Sequence, residues 1–155
     1  MKPNLLTRKT LSMELAEKLV DEAVKASRAI DRNTVIAVCD ESGILKAFRR
    51  PDFTNLGCVD FAILKARTAV KFNTPTHMHW EYWEGQPGTQ IGMSALDDVT
   101  VEGGGVPIRL DGELVGGIGV SGAQHWQEDV DIATEAFKVL GFDLPSNSYD
   151  APRPR

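Results

Sequence analysis

Cysteine is scarce in this sequence, with only Cys39 and Cys58 among 155 residues. Disulfide-stabilised secreted domains need several cysteines, and structural zinc sites need closely spaced pairs, so neither class fits. Cys39 lies in a short apolar run, where a small buried side chain is the ordinary outcome. We therefore expect both thiols to be reduced and the fold to be held without covalent cross-links.

Positive charge and long apolar runs are also lacking. Lysine and arginine number 17 against 22 acidic residues, which gives a net charge of −5. Binding to a nucleic-acid backbone normally needs a basic face, so we expect no nucleic-acid partner. No apolar run approaches the roughly 20 residues that span a bilayer, and the first 19 residues lack the apolar core of a signal peptide. We expect no membrane partner and a cytoplasmic location.

The apolar residues that are present indicate an α+β fold. Three segments have the three-to-four spacing of amphipathic helices: 12–30, 59–72 and 128–140. Two pairs of short apolar runs indicate β-hairpins: 34–39 with 44–48, and 106–110 with 114–120. This order predicts a single antiparallel sheet with helices packed on its faces. We assign residues 1–143 to one domain and residues 144–155 to a proline-rich tail.

The second hairpin contains an unusual number of glycines. Residues 102–122 hold eight of the fourteen glycines, and Asp111-Gly112 is a dipeptide typical of a two-residue turn. Glycine weakens a strand, so it is expected where a backbone must approach a neighbouring element or a ligand closely.

This hairpin carries a family resemblance. The sequences GGGVPIR and GGIGVSG, together with KARTAVKF at 65–72, resemble the GlcG/HbpS family, which includes haem-binding proteins and the C-terminal domain of PduO-type proteins. The resemblance implies a profilin-like three-layer arrangement and homo-oligomers built from dimers. Members of the family have been linked to haem, to corrinoids and to small-molecule catabolism.

The segment 73–101 has no regular apolar period and is rich in histidine and tryptophan, a composition typical of a binding loop or lid. If residues 77–81 are extended, His77, His79 and Glu81 lie on one face and supply the ligand types that a divalent metal needs. One of the two histidines is alternatively an axial ligand of haem. Histidines in an exposed loop that bind nothing are the simpler interpretation.

Two basic residues are candidates for binding an anion. Alternation along the strand places Arg109 on the face opposite to that of Ile108 and Leu110. There its guanidinium would hold a ligand carboxylate with two hydrogen bonds. The alternative is a surface arginine paired with Glu113. Lys65, on the second predicted helix, would either face an anionic ligand or flank the helix in solvent.

Two motifs suggest catalysis or cofactor binding. Residues 117–122 fit G-x-G-x-x-G, but we reject a dinucleotide site because the βαβ unit that this fingerprint requires is absent. Ser121 and His125 are spaced as a nucleophile and base between a strand and a helix. No nucleophile-elbow motif surrounds Ser121, so a helix cap is an equally simple interpretation.

Two functional hypotheses follow. In the first, the protein binds a small molecule, haem or a related tetrapyrrole, between the tryptophans and the glycine hairpin. In the second, it is a catabolic enzyme in which His125 or His79 acts as general base on a small carboxylic acid. We favour binding because the sequence lacks a paired catalytic constellation. The residues assigned to the ligand site are Trp80, Trp83, Gly104, Gly105, Arg109 and Lys65.

Overall fold

A four-stranded antiparallel sheet separates two layers of helices in the computed structural model, which describes residues 3–145. The elements in chain order are α1 (Met13–Ala29), β1 (Val35–Asp40), β2 (Leu45–Arg49), α2 (Gly57–Phe72), α3 (Met78–Tyr82), α4 (Pro87–Ser94), β3 (Gly105–Leu110), β4 (Glu113–Ser121) and α5 (Trp126–Leu140). The predicted α+β class is therefore confirmed. Most of the predicted tail, positions 146–155, lies outside the described residues.

The sheet joins the two predicted hairpins side by side. Its strand order is β2-β1-β4-β3, and β1 pairs with β4 from Val35 opposite Ser121 to Asp40 opposite Gly116. Because side chains alternate along a strand, each face of the sheet carries its own core. The face toward α1 and α5 carries larger side chains: Ile36, Val38, Val106, Ile108, Ile118 and Val120. The other face carries Val35, Ala37 and Cys39 and meets α2.

Local signals in the sequence explain where several elements begin and end. Ser12 caps α1, since its Oγ accepts a hydrogen bond from the Leu15 amide at 3.1 Å. Asp111 and Gly112 both have positive φ, at 53° and 78°, as a two-residue hairpin turn requires. Helix α5 begins at Trp126, two residues before the predicted start, and its first turn is acidic, which suits the positive end of the helix dipole.

Helix α2 lies unusually close to β4. A Cβ on Gly119 would come 1.9 Å from the Ala62 carbonyl oxygen, and one on Gly117 would come 2.5 Å from the Ala66 carbonyl oxygen. These glycines therefore provide a flat strand surface, and the alanines of α2 rest directly on it. The close approach predicted for this hairpin is made to a helix of the same chain.

The irregular segment 73–101 contains two short helices, so residues 77–81 are not extended as the metal-site hypothesis required. The His79 amide donates to the Thr76 carbonyl at 3.2 Å, and the Trp83 amide donates to the His79 carbonyl at 3.1 Å, so α3 closes its own turns. Helix α4 follows and buries none of its residues. Among residues 3–145, no helix has the length and apolarity needed to cross a membrane.

The contact between α2 and β4 leads to a stability prediction. Gly119→Ala places a methyl group into the Ala62 carbonyl, and such overpacking costs about 1–3 kcal/mol or more. Gly88→Ala is the control, because no atom lies within 4 Å of the added Cβ on α4. Urea unfolding should show a clear loss of unfolding free energy for Gly119→Ala and none for Gly88→Ala. Equal stability of the two variants would contradict the close contact.

Candidate functional site

His79 lies in a buried aromatic cluster. Its ring stacks on Trp83 with centroids 5.0 Å apart and planes 11° apart, and it meets the edge of Phe72 at 5.0 Å. The side chain is only 3% exposed, and its Nε2 has no hydrogen-bond partner among residues 3–145. Burial, with a smaller contribution from His77, lowers the pKa of His79 to about 4. The imidazole is therefore neutral at pH 7, the form that ligates metals.

His77 occupies a separate position. It stacks on Trp126 with centroids 4.8 Å apart, and its Nδ1 is also buried without a hydrogen-bond partner in the described part of the chain. Burial lowers the pKa of His77, although Glu81 opposes this shift. Since α3 replaces the extended segment, His77, His79 and Glu81 do not share a strand face. Residues 3–145 hold no group of three acidic, histidine or cysteine side chains suited to a metal ion.

A groove runs beside the C-terminal end of α2, and we call it the α2 groove. Its volume is about 770 Å³, within the usual range for small-molecule sites. Its lining residues are Thr7, Arg8, Lys9, Glu41, Val70, Lys71, Phe72, Asn73, Gly112, Glu113 and Leu114. The groove thus combines apolar side chains with three cations. Phe72 belongs both to the groove and to the His79 cluster.

The cations of the α2 groove differ in their partners. Lys9 pairs with Glu113 at 3.1 Å, and Lys71 pairs with Asp98. All of these side chains are substantially exposed, so the pairs contribute little stability and exchange readily with a ligand carboxylate. Arg8 makes no ion pair within the described residues.

Arg109 is held by the end of α2. Its Nε donates to the Asn73 Oδ1 at 2.9 Å, and its terminal nitrogen donates to the Asn73 carbonyl. Asn73 ends the helix in a left-handed conformation with φ of 50°, so the guanidinium ties this helix end to β3. The alternative partner Glu113 pairs with Lys9. The contact between Arg109 and a ligand carboxylate stays a prediction.

The two tryptophans of the loop have different surroundings. Trp80 is half-exposed and lines a shallow depression beside α4 with Pro87 and Ile91. Trp83 is buried against His79 and Phe72. A flat ligand between the two indoles would need Trp83 to leave this cluster.

Lys65 is fully buried, so of the two alternatives for it the one in which it flanks the helix in solvent is wrong. Its Nζ donates to the Val120 carbonyl at 3.2 Å and to the Asp129 Oδ2 at 3.3 Å, and lies 3.6 Å from Glu102. Burial raises the pKa of Asp129 to about 6, although Lys65 opposes this shift. The absence of a Cβ on Gly104 makes room for this ammonium, since a Cβ there would come 3.1 Å from Nζ.

The glycines of the 103–105 turn pack against residues of the same chain. A Cβ on Gly105 would lie 2.3 Å from the Lys65 carbonyl oxygen, and one on Gly103 would meet the Trp126 ring at 2.6 Å. The contact of Gly104 and Gly105 with a ligand stays a prediction, because their inner sides are already occupied.

A second, smaller pocket lies where β4 ends. Its volume is about 250 Å³, and we call it the Ser121 pocket. Its lining residues are Asn55, Gly57, Cys58, Phe61, Glu102, Ser121, Gly122, Ala123, Gln124, Trp126 and Asp129. His125 is exposed at the start of α5, and no hydrogen bond joins it to Ser121 within residues 3–145. The predicted nucleophile and base are therefore not assembled.

Sequence reasoning missed three residues that organise these sites. Phe72 was treated as a helix end, but it contacts the His79 ring and also lines the α2 groove. Glu102 and Asp129 are 27 positions apart, and both carboxylates contact the buried ammonium of Lys65. The aromatic residue just before the histidine-rich loop was a usable signal for Phe72. No pattern in the sequence indicated that Glu102 and Asp129 contact the same lysine.

Comparison with known proteins gives consistent relatives. The family model described as "Haem degrading protein HbpS-like" matches residues 11–138. The crystal structure of HbpS is 30% identical with a TM-score of 0.80, covering 88% of this chain and 94% of that chain. The crystal structure of a PduOC:heme complex is 28% identical with a TM-score of 0.78, covering 88% and 99%.

A curated sequence relative is much longer. The corrinoid adenosyltransferase PduO of Salmonella typhimurium is 31% identical over 134 residues, which cover 84% of this chain and 39% of that protein. The chain thus spans about two fifths of that relative. Since the family model covers most of the sequence and two solved relatives share the fold over 88% of this chain, the chain belongs to the HbpS-like family.

Proposed function

We propose that this protein binds haem in the α2 groove, with His79 as the iron ligand. The observation that carries the proposal is the Nε2 of His79, a buried nitrogen without a partner in the described structure. The low pKa of His79 keeps the ring neutral, so its nitrogen lone pair is available to a metal at pH 7. A relative solved as a haem complex supports the same ligand class.

The α2 groove suits both the apolar ring and the charged propionates of a haem. The apolar part, Val70, Phe72 and Leu114, matches the porphyrin ring. Arg8, Lys9 and Lys71 match two propionates, because exposed cations pair with carboxylates at small cost. When bound, haem supplies an iron centre whose reactivity depends on its axial ligand and on the polarity around it.

Binding requires His79 to become accessible from the groove. Phe72 makes a T-shaped contact with the His79 ring and also lines the groove. Movement of the Phe72 ring would therefore expose the imidazole. The neighbouring helix α4 buries nothing, and weakly packed segments open at low free-energy cost.

The enzyme alternative has no comparable supporting contact. His125 is exposed and has no hydrogen bond to Ser121 within residues 3–145, while His79 is enclosed by aromatic rings. General acid–base catalysis needs a base within hydrogen-bond reach of a substrate. We therefore make haem binding the proposal.

The first test is a haemin titration followed by absorbance. The wild-type protein should give a saturable Soret shift, and His79→Gln should weaken binding by about tenfold or more, because the shape is nearly kept and the iron ligand is lost. His125→Gln is the matched control, being an exposed histidine away from the groove. A Soret spectrum and affinity unchanged in His79→Gln would rule out His79 as ligand.

The second test concerns the propionates. Replacing Arg8 and Lys9 together by glutamine should weaken haemin binding about three- to tenfold, because each exposed ion pair contributes about 0.2–1 kcal/mol. The effect should shrink at high salt and disappear with haemin dimethyl ester, which has no free carboxylates. The control is Lys25→Gln with Lys138→Gln, two exposed lysines on other helices. Equal loss in both double variants would place the propionates elsewhere.

The third test uses the pH dependence of stability. The pKa of His79 is about 4 in the folded protein and 6.5 for an ordinary exposed histidine, so the unfolded chain binds more protons between these pH values. The contribution of His79 to the free energy of unfolding is complete above pH 6.5. It is lost as pH falls toward 4, by up to about 3 kcal/mol. Urea unfolding of His79→Gln should show a correspondingly smaller acid loss than wild type. If the unfolding free energies of wild type and His79→Gln change in parallel from pH 4 to 8, His79 is not buried as described.

A further inference from the structure

The Ser121 pocket is independent of the α2 groove, since the two share no lining residue. It lies between the first turn of α2, the end of β4 and the first turn of α5. Two partly exposed aromatic side chains, Phe61 and Trp126, contribute to its walls. At about 250 Å³ it suits a ligand much smaller than haem.

The pocket is lined by a largely buried serine whose hydroxyl has no partner among the described residues. Ser121 is 4% exposed, and its Oγ makes no hydrogen bond to any of residues 3–145. Polar groups inside proteins are normally paired, so an unpaired hydroxyl on a pocket wall has unused hydrogen-bonding capacity. Because this hydroxyl lines the pocket, it is available to a polar group of a ligand.

The charge available in the pocket is negative. Its lining includes Glu102 and Asp129 and no lysine, arginine or histidine among the described residues. Both Asp129 oxygens are already used, since Oδ2 accepts from Lys65 and Oδ1 accepts from the Ala123 amide at 3.1 Å. Glu102 is about half-exposed, and among residues 3–145 it forms an ion pair only with Lys65, at 3.6 Å. Its carboxylate is therefore the charge that a ligand meets.

From these observations we propose that the Ser121 pocket binds a small organic ammonium compound. The carboxylate of Glu102 pairs with the ammonium, and the Ser121 hydroxyl accepts one of its N–H groups. Phe61 and Trp126 contact the carbon chain of the ligand. Lys65 is hidden behind the carboxylates and fully buried, so it does not present its charge to the ligand.

The test compares three probes of one size: butylammonium, butanoate and butan-1-ol. Binding is followed by two-dimensional NMR of the ¹⁵N-labelled full chain, using the Trp126 indole signal and the amides of 121–124. Butylammonium should give saturable shifts at these positions, whereas butanoate and butan-1-ol should give at least fivefold weaker binding. Stronger binding of butanoate, or no saturable shift with butylammonium, would overturn the proposal.

Two variants separate the contributing groups. Glu102→Gln keeps the shape and removes the charge, so the affinity for butylammonium should fall at least fivefold. Ser121→Ala should lower it about fivefold, since one hydrogen bond contributes about 1 kcal/mol. Glu135→Gln is the control, because Glu135 is a similarly exposed glutamate paired with Lys138 outside the pocket. Equal affinities in Glu102→Gln and Glu135→Gln would overturn the assignment of Glu102, and haemin binding should be unchanged in all three variants.

Discussion

The direct contact between the backbone of α2 and the glycines of β4 is the constraint on which the rest of this structure depends. With Ala62 and Ala66 resting on Gly119 and Gly117, the helix cannot rotate or slide without losing the fit. This fixed position brings Lys65 beneath the end of β4. It also directs the far end of α2, with Phe72, toward the histidine cluster and the α2 groove. Both candidate sites are therefore built on opposite ends of one helix.

Burial shifts two titrating groups in opposite directions. The pKa of His79 is lowered and the pKa of Asp129 is raised, in each case because desolvation penalises the charged form. As pH falls from 6 toward 4, protonation of His79 lowers the free energy of unfolding, while protonation of Asp129 raises it. The two contributions partly offset each other. Wild-type stability alone would therefore understate how strongly each group is perturbed, and single variants are needed to separate them.

Regular elements were predictable from the sequence because local signals define them. Ser12 is a helix cap, and Asp111 with Gly112 adopts the turn that the dipeptide favours. The loop 73–101 was not predictable in detail, since α3 and α4 are too short to show an apolar period.

The burial of Lys65 was not predictable either. A lysine on a helix is usually exposed, and its acidic partner Asp129 is 64 positions away. The single domain over 1–143, the homo-oligomer built from dimers and the cytoplasmic location stay predictions, as does the site role of each residue assigned from sequence.

Helix α4 has a consequence for how such a protein can diversify. Its eight residues bury nothing, and Gly88 and Gly92 have open space around them. The hydrophobic core of the sheet and the α2 contact with β4 do not depend on its side chains. Substitutions in this segment therefore carry little folding cost, while those in the glycine hairpin carry a large one. The sequence around α4 can therefore change to suit different ligands, while the glycine contact between α2 and β4 preserves the fold.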